Sequence, residues 1–211
     1  MKFLVKRVPF FLEPGYMKKS DDFTETHDTR MIRKFGSKEE FERVKKAHGL
    51  IPRGREAGLT EEMGFTQDNL TLRVQSSTLN SHRLILFVAN RFGLNKSEEL
   101  YAAFNKKHFT EGGILNDLNM LVDSLKEIGL EGTDLEETVN FLHDKSRGTR
   151  EVLELYERVQ SMGIYSIPTL IVDGQYLING AARANEVLDC LKKVAAAGGT
   201  GKAIFSDITV A

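Results

Sequence analysis

Across 211 residues the sequence has no Trp, a single Cys and only 4 Pro, and its 29 Lys+Arg nearly cancel its 30 Asp+Glu. Each scarcity excludes something. One Cys cannot close an internal disulfide, and without thiol partners a Cys-based zinc site is excluded as well. A formal charge of −1 supplies no electrostatic reason for a nucleic-acid or anionic-membrane partner. Nowhere do about 18 apolar residues run together, so no conventional membrane-spanning helix is expected. The opening apolar run is short and broken by Lys6 and Arg7, unlike a signal peptide. A reducing, cytoplasmic setting is the expectation.

What remains is 41% hydrophobic and 28% charged, the composition of an ordinary globular chain with enough length to bury a core. A single domain over residues 1–211 is expected. Lys2 to Leu12 (KFLVKRVPFFL) is β-branched and aromatic-rich, and Glu13-Pro14-Gly15 follows with turn chemistry, so the pattern predicts an opening strand. Pro9 has no N–H for a ladder, which puts that end at an edge or a bulge. Lys18 to Asp28 reads as loop.

From residue 29 to residue 162 the period is helical. Ser37 with Glu40, and Thr133 with Glu136, have the spacing of capping boxes. Leu79 to Phe92 is apolar on nearly every side, as a helix enclosed by the protein would be. A further helix is expected to start at Ser97. Asp117 to Ile128 carries Leu118, Leu121, Val122 and Leu125 on one stripe and stops at Gly129. Val152, Leu155, Tyr156 and Val159 mark the last helix of this block, which Gly163 closes.

The period then falls to two. Thr169 to Val172, the Asp173-Gly174 turn and Gln175 to Asn179 predict a hairpin, since Asp-Gly supplies the positive φ angles of a tight turn. Ala184 to Ala197 follows as a helix with Val187, Cys190, Leu191 and Val194 inward. Cys190, the only thiol, is expected to be packed and inert on that face. Gly198-Gly199-Thr200-Gly201 reads as a linker and Lys202 to Val210 (KAIFSDITV) as one more strand.

The phrases VPFFLEPG, SSTLNSHRLILFVA, HFTEGG and GIYSIPTLIVDGQYLINGA, in this order, resemble the DsbA-like thioredoxin-domain family, and its FrnE-type branch most closely. The resemblance spans roughly residues 3 to 195. It implies an α/β, thioredoxin-like fold with a large helical insertion at 29–162, and it implies a thiol-disulfide oxidoreductase. There the chain departs from the family. The family's first strand runs into a Cys-Pro-Trp-Cys-type motif at a helix start, where the dipole favours a thiolate, and neither motif cysteine is present. Ser77 also stands where the family usually shows Asn.

Ala203 to Val210 resembles the family's first strand, with Val210 at the position of the first motif Cys and Ala211 at the following Pro. Residues 198–211 therefore read as linker plus strand, in a permuted or truncated arrangement, with that strand between Lys2 to Leu12 and the Thr169 strand. A strand-exchanged oligomer or a tandem repeat would serve the same purpose.

No catalytic residue is assigned, because disulfide exchange needs an attacking thiolate and normally a resolving partner. The resemblance implies a cis Ile167–Pro168 bond and a groove for a protein or peptide substrate, with Ser166, Ile167, Pro168, His82, Thr110 and Glu111 as its candidate residues. No cofactor is expected. No metal is expected either, since His27, His48, His82, His108 and His143 lack ligand spacing. Two other classes stand beside the oxidoreductase reading. One is a non-catalytic peptide- or protein-binding module. The other is a relative of the kappa-class glutathione transferases and isomerases, which share the helical insert.

Overall fold

The computed structural model describes residues 1–48, 73–180, 182–202, 204 and 205. Its centre is the helix predicted from Leu79. That helix, Leu79–Phe92, buries Ser81, Arg83, Leu84, Ile85, Leu86, Phe87 and Val88, because apolar residues occur on successive turns all round it. In chain order the helices are α1 (His27–Phe35), α2 (Lys38–His48), α3 (Leu79–Phe92), α4 (Leu94–Thr110), α5 (Leu118–Glu127), α6 (Gly132–His143), α7 (Thr149–Ser161) and α8 (Ala184–Ala196). The strands are β1 (Thr24–Thr26), β2 (Val74–Ser76), β3 (Thr169–Val172) and β4 (Tyr176–Asn179).

Helices α4, α6 and α7 all pack on α3. Phe87 on α3 stacks on Phe141 of α6 with ring centroids 4.2 Å apart. The core adds Leu100 and Phe104 of α4, Leu121 and Leu125 of α5, and Val152, Leu155 and Tyr156 of α7.

Arg83 is 0% exposed in the middle of this apolar helix. A guanidinium has five N–H donors, and here each has an acceptor. Nε donates to Arg147 O at 2.7 Å, Nη1 to Asn80 Oδ1 at 2.8 Å and Leu142 O at 3.3 Å, and Nη2 to Phe141 O at 3.1 Å and to Asp144 O. Most of those carbonyls end α6, where the last turn has no helical donors left and the dipole is negative. The charge of Arg83 is thus accommodated by the end of another helix.

Two antiparallel sheets of two strands each are present among the described residues. β3 and β4 form the hairpin that Asp173-Gly174 predicts, with φ of 54° and 68° at the turn and Val172 opposite Tyr176. β1 and β2 pair Thr24 with Ser76 and Thr26 with Val74. That second sheet corrects the loop expected over Lys18 to Asp28: three residues pair across a long separation, and Thr26 Oγ1 then caps α1 by accepting from Thr29 N–H at 3.2 Å.

Other boundaries differ from the sequence reading for local reasons. Ser37 does cap α2, accepting from Glu40 N–H at 3.1 Å, but the Glu40 carboxylate turns to Arg43, 2.6 Å away, and leaves the box half made. α6 begins at Gly132 without a side-chain cap, so Thr133 lies inside it. α4 begins at Leu94, since Gly93 (φ 92°) reverses the chain directly after α3, and Ser97 Oγ donates back to Leu94 O at 2.9 Å.

The opening strand is not formed. A strand needs a partner ladder, and among the described residues none runs beside Lys2 to Leu12. Leu4 and Val5 are exposed there, while Phe11 is buried and Phe10 packs against the core. Lys202, Ile204 and Phe205 are likewise not in a strand, and residues 206–210 of that expectation lie outside the described residues.

Candidate functional site

The segment between α7 and β3 is built by a helix stop and then held away from the body. Gly163 takes φ 75° and donates to Gln160 O at 2.9 Å, and Ile164 N–H returns to Val159 O at 3.3 Å. Ile164 is buried in the core, which fixes one end of the loop. At the other end the Pro168 carbonyl accepts Gly180 N–H at 2.8 Å and continues the hairpin ladder. The Thr169 hydroxyl donates to Ser166 O at 2.8 Å across the turn. The Ile167–Pro168 bond is cis, as expected from the sequence.

Between these anchors and at the start of β3 apolar side chains face water. Tyr165 is 73% exposed, Ile167 46% and Leu170 38%. β3 is paired on one side by β4, and among the described residues its other edge has no strand. Outward apolar side chains beside main-chain groups are what an extended peptide needs, since main-chain groups bind it and side-chain contacts select it.

Of the residues named from the sequence, Ser166, Ile167 and Pro168 form this exposed loop. His82 sits elsewhere, at the start of α3. Its Nε2 is 3.2 Å from Phe10 O and its ring meets Phe11 edge-on at 5.1 Å. Burial pushes its pKa down to about 4, against a smaller opposing effect of the Phe10 carbonyl. It is therefore a neutral ring that holds the N-terminal segment to α3.

Thr110 and Glu111 end α4. The Thr110 hydroxyl donates to Lys106 O, and Glu111 is 3.6 Å from Lys106, which also pairs with Glu127 of α5 at 3.2 Å. Among the described residues no hydrogen bond, ion pair or ring contact joins Thr110, Glu111 or His82 to Ser166, Ile167 and Pro168. Tyr165 and Leu170 were not singled out by the sequence. Their signal is an apolar residue on either side of the Ile-Pro step, legible only once the loop is known to face outward.

Cys190 corrects the expectation of a fully packed thiol. It is half-buried, because α8 meets the hairpin along one side only. It lines an open groove of about 510 Å³ between β4 and α8, with Tyr176, Leu177, Ile178, Glu186 and Lys193. As a single sulfur it lacks a second thiol in the chain with which to resolve a mixed disulfide. Among the described residues no three His, Cys, Asp or Glu side chains converge as metal ligands, and no helix is long and apolar enough to cross a membrane.

No family model matches the chain, and no curated protein does. Among solved structures the backbone is similar to that of a probable DsbA oxidoreductase from Streptomyces coelicolor, with a TM-score of 0.67 and 22% identity, over 92% of this chain and 76% of that one. The fold is therefore the DsbA-like thioredoxin fold with a helical insertion.

Proposed function

We propose that this chain is a DsbA-like thioredoxin-fold protein of the thiol-disulfide oxidoreductase family, similar to its FrnE-type branch, whose own residues lack the redox cysteine pair. It forms one thioredoxin-like unit in which residues 29–162 are the insertion. Its working part is the loop from Tyr165 to Pro168 with Leu170 at the start of β3, which takes up an extended protein or peptide segment. A reducing, cytoplasmic compartment suits a chain with one half-buried thiol.

The observation that carries this reading is the exposure of Tyr165 and Ile167 on a loop whose two ends are fixed by Ile164 and by the Pro168–Gly180 hydrogen bond, with Leu170 exposed at the start of β3. A rigid loop that presents apolar side chains loses little entropy when a ligand covers them. Ser166 and Pro168 shape the loop. His82, Thr110 and Glu111 belong to the wider groove that the family resemblance implies.

Two measurements test it. Fluorescein-labelled insulin B chain should bind the wild-type chain, and Tyr165→Asp with Ile167→Asp should weaken binding by on the order of tenfold or more while leaving the melting temperature unchanged, since both side chains are exposed. Equal binding by the double variant would remove the loop from the function. An insulin-reduction assay should show no turnover by this chain alone.

A further inference from the structure

The open groove between β4 and α8 has an apolar floor and a charged wall. On the floor Tyr176 and Leu177 are 40% and 52% exposed, with Ile178 beside them. The wall consists of Glu186, Asp189, Cys190 and Lys193, which recur at i, i+3, i+4 and i+7 and so share one face of α8. The helix is anchored on a different face, through Val194, which is 2% exposed, and by packing on β3.

Strands at the edge of a sheet commonly carry a charge, a proline or a bulge that discourages pairing with another chain. β4 is Tyr-Leu-Ile-Asn in unbroken register with β3, and it has none of these guards. The wall charges are likewise unused within the chain. Asp189 and Lys193 have the i, i+4 spacing of an intrahelical pair, yet among the described residues no ion pair engages Glu186, Asp189 or Lys193. Glu186 Oε2 accepts Arg183 N–H at 3.0 Å, and its other oxygen has no partner among the described residues.

The order of the charges along α8 selects what fits the groove. Glu186 comes near the start of the helix and Lys193 two turns later, equally far from the midpoint between Asp189 and Cys190. When this face meets a copy of itself running antiparallel, Glu186 stands opposite the copy's Lys193, Lys193 opposite its Glu186, and Asp189 opposite its Cys190. A two-fold axis produces that arrangement by construction, because an isologous contact brings i to j and j to i. A parallel alignment would instead set like charge on like. We propose that this face joins two copies of the chain in a two-fold dimer, with β4 beside β4 and the two α8 walls facing one another above the strands. The contact does not use Tyr165 or Ile167 and stands apart from the peptide-binding reading.

Cys190 supplies a probe, since it is the only thiol in the chain and lies next to the proposed axis. Sedimentation equilibrium should show a concentration-dependent dimer of the wild-type chain, and a short bis-maleimide should link it into a covalent dimer through Cys190. Glu186→Lys or Lys193→Glu alone sets like charges opposite one another and should weaken association by on the order of tenfold or more. Lys193→Glu is the cleaner of the two, because Glu186 also accepts Arg183 N–H, and melting curves establish that each variant is folded. Mixing the two single variants restores opposite charges and should recover the dimer as a hetero-pair. Leu177→Asp, at an exposed position in the floor, should abolish association without lowering the melting temperature of the monomer. A wild-type chain that stays monomeric at every concentration overturns the proposal. So does a dimer indifferent to the single charge reversals or to Leu177→Asp, and so does a mixture that fails to pair.

Discussion

Asp173 Oδ2 accepts the backbone N–H of Thr200 at 2.7 Å, and Oδ1 of the same carboxylate accepts that of Gly201 at 2.9 Å, so the hairpin turn holds the chain where it leaves the last helix. These donors, that of Thr200 foremost, hold the Asp173 carboxyl below the usual aspartate range. A carboxyl depressed in the folded state stabilises at pH above its unfolded value of about 3.9, and the contribution is lost as pH falls through the lower folded value.

Protection of the Thr200 and Gly201 amides, measured against the intrinsic exchange rate at each pH, should therefore be high at neutral pH and fall below about pH 4. Asp173→Asn keeps a residue that tolerates φ 54° and removes the charge. It should lower protection at both amides and erase the acid dependence of that protection. Unchanged protection in Asp173→Asn would show that the carboxylate does not hold Thr200 and Gly201.

Arg83 supports a second prediction. Arg83→Lys replaces five donors by three, leaving at least two of the five acceptors, Asn80 Oδ1 and the four carbonyls at the end of α6 and in the loop after it, without a partner. At roughly 1–3 kcal/mol per buried unsatisfied group, the loss should be on the order of 2–5 kcal/mol. Arg83→Met, which keeps much of the volume and no donor, should cost more. Urea unfolding monitored by circular dichroism measures both, and a lysine variant as stable as wild type would mean that these bonds contribute little.

His82 and His27 make the protein sensitive to mild acid. Burial is the main cause at both, and each pKa is pushed down to about 4, with the Arg73 guanidinium adding to the effect at His27. Between about pH 6.5 and 4 the unfolded chain binds protons at these rings and the folded chain does not, so stability falls as pH falls through that window. NMR titration of the imidazole carbons should place both midpoints near 4, and midpoints near 6.5 would contradict the enclosure of the rings.

What the sequence made legible were features decided by neighbours in the chain. Leu79–Phe92 has the predicted bounds because its apolar residues recur on every turn and Gly93 stops it. Asp173-Gly174 made the hairpin legible for the same kind of reason, as Gly129 and Gly163 did their helix ends. What it hid depends on distant partners. β1 is Thr-Glu-Thr and β2 is Val-Gln-Ser, too short and polar to show a period, and they exist only by pairing with one another. Lys2 to Leu12 has every local mark of a strand, yet strand character is completed by a ladder, and no described segment supplies one. Of the candidate groove, the Ile-Pro step was readable, while the outward direction of Tyr165 was not.

Phe205 carries the last prediction, because it tests whether the segment after α8 belongs to the fold. A chain terminus is normally frayed unless something ties it down, and the glycines before it would favour fraying. Phe205 is nonetheless buried within the core cluster, with Arg158 over its ring and Lys6 on its carbonyl. Removing a buried phenyl ring loses its transfer free energy and leaves a cavity, together on the order of 3–5 kcal/mol. Phe205→Ala should thus lower the urea midpoint strongly at unchanged slope, whereas Phe205→Leu, which keeps most of the apolar volume, should lose less than half as much. The ordering of the two variants matters more than either value. A tail that merely rests on the surface would tolerate both substitutions equally, so coincident unfolding curves for wild type and Phe205→Ala would show that the terminus contributes nothing to the core.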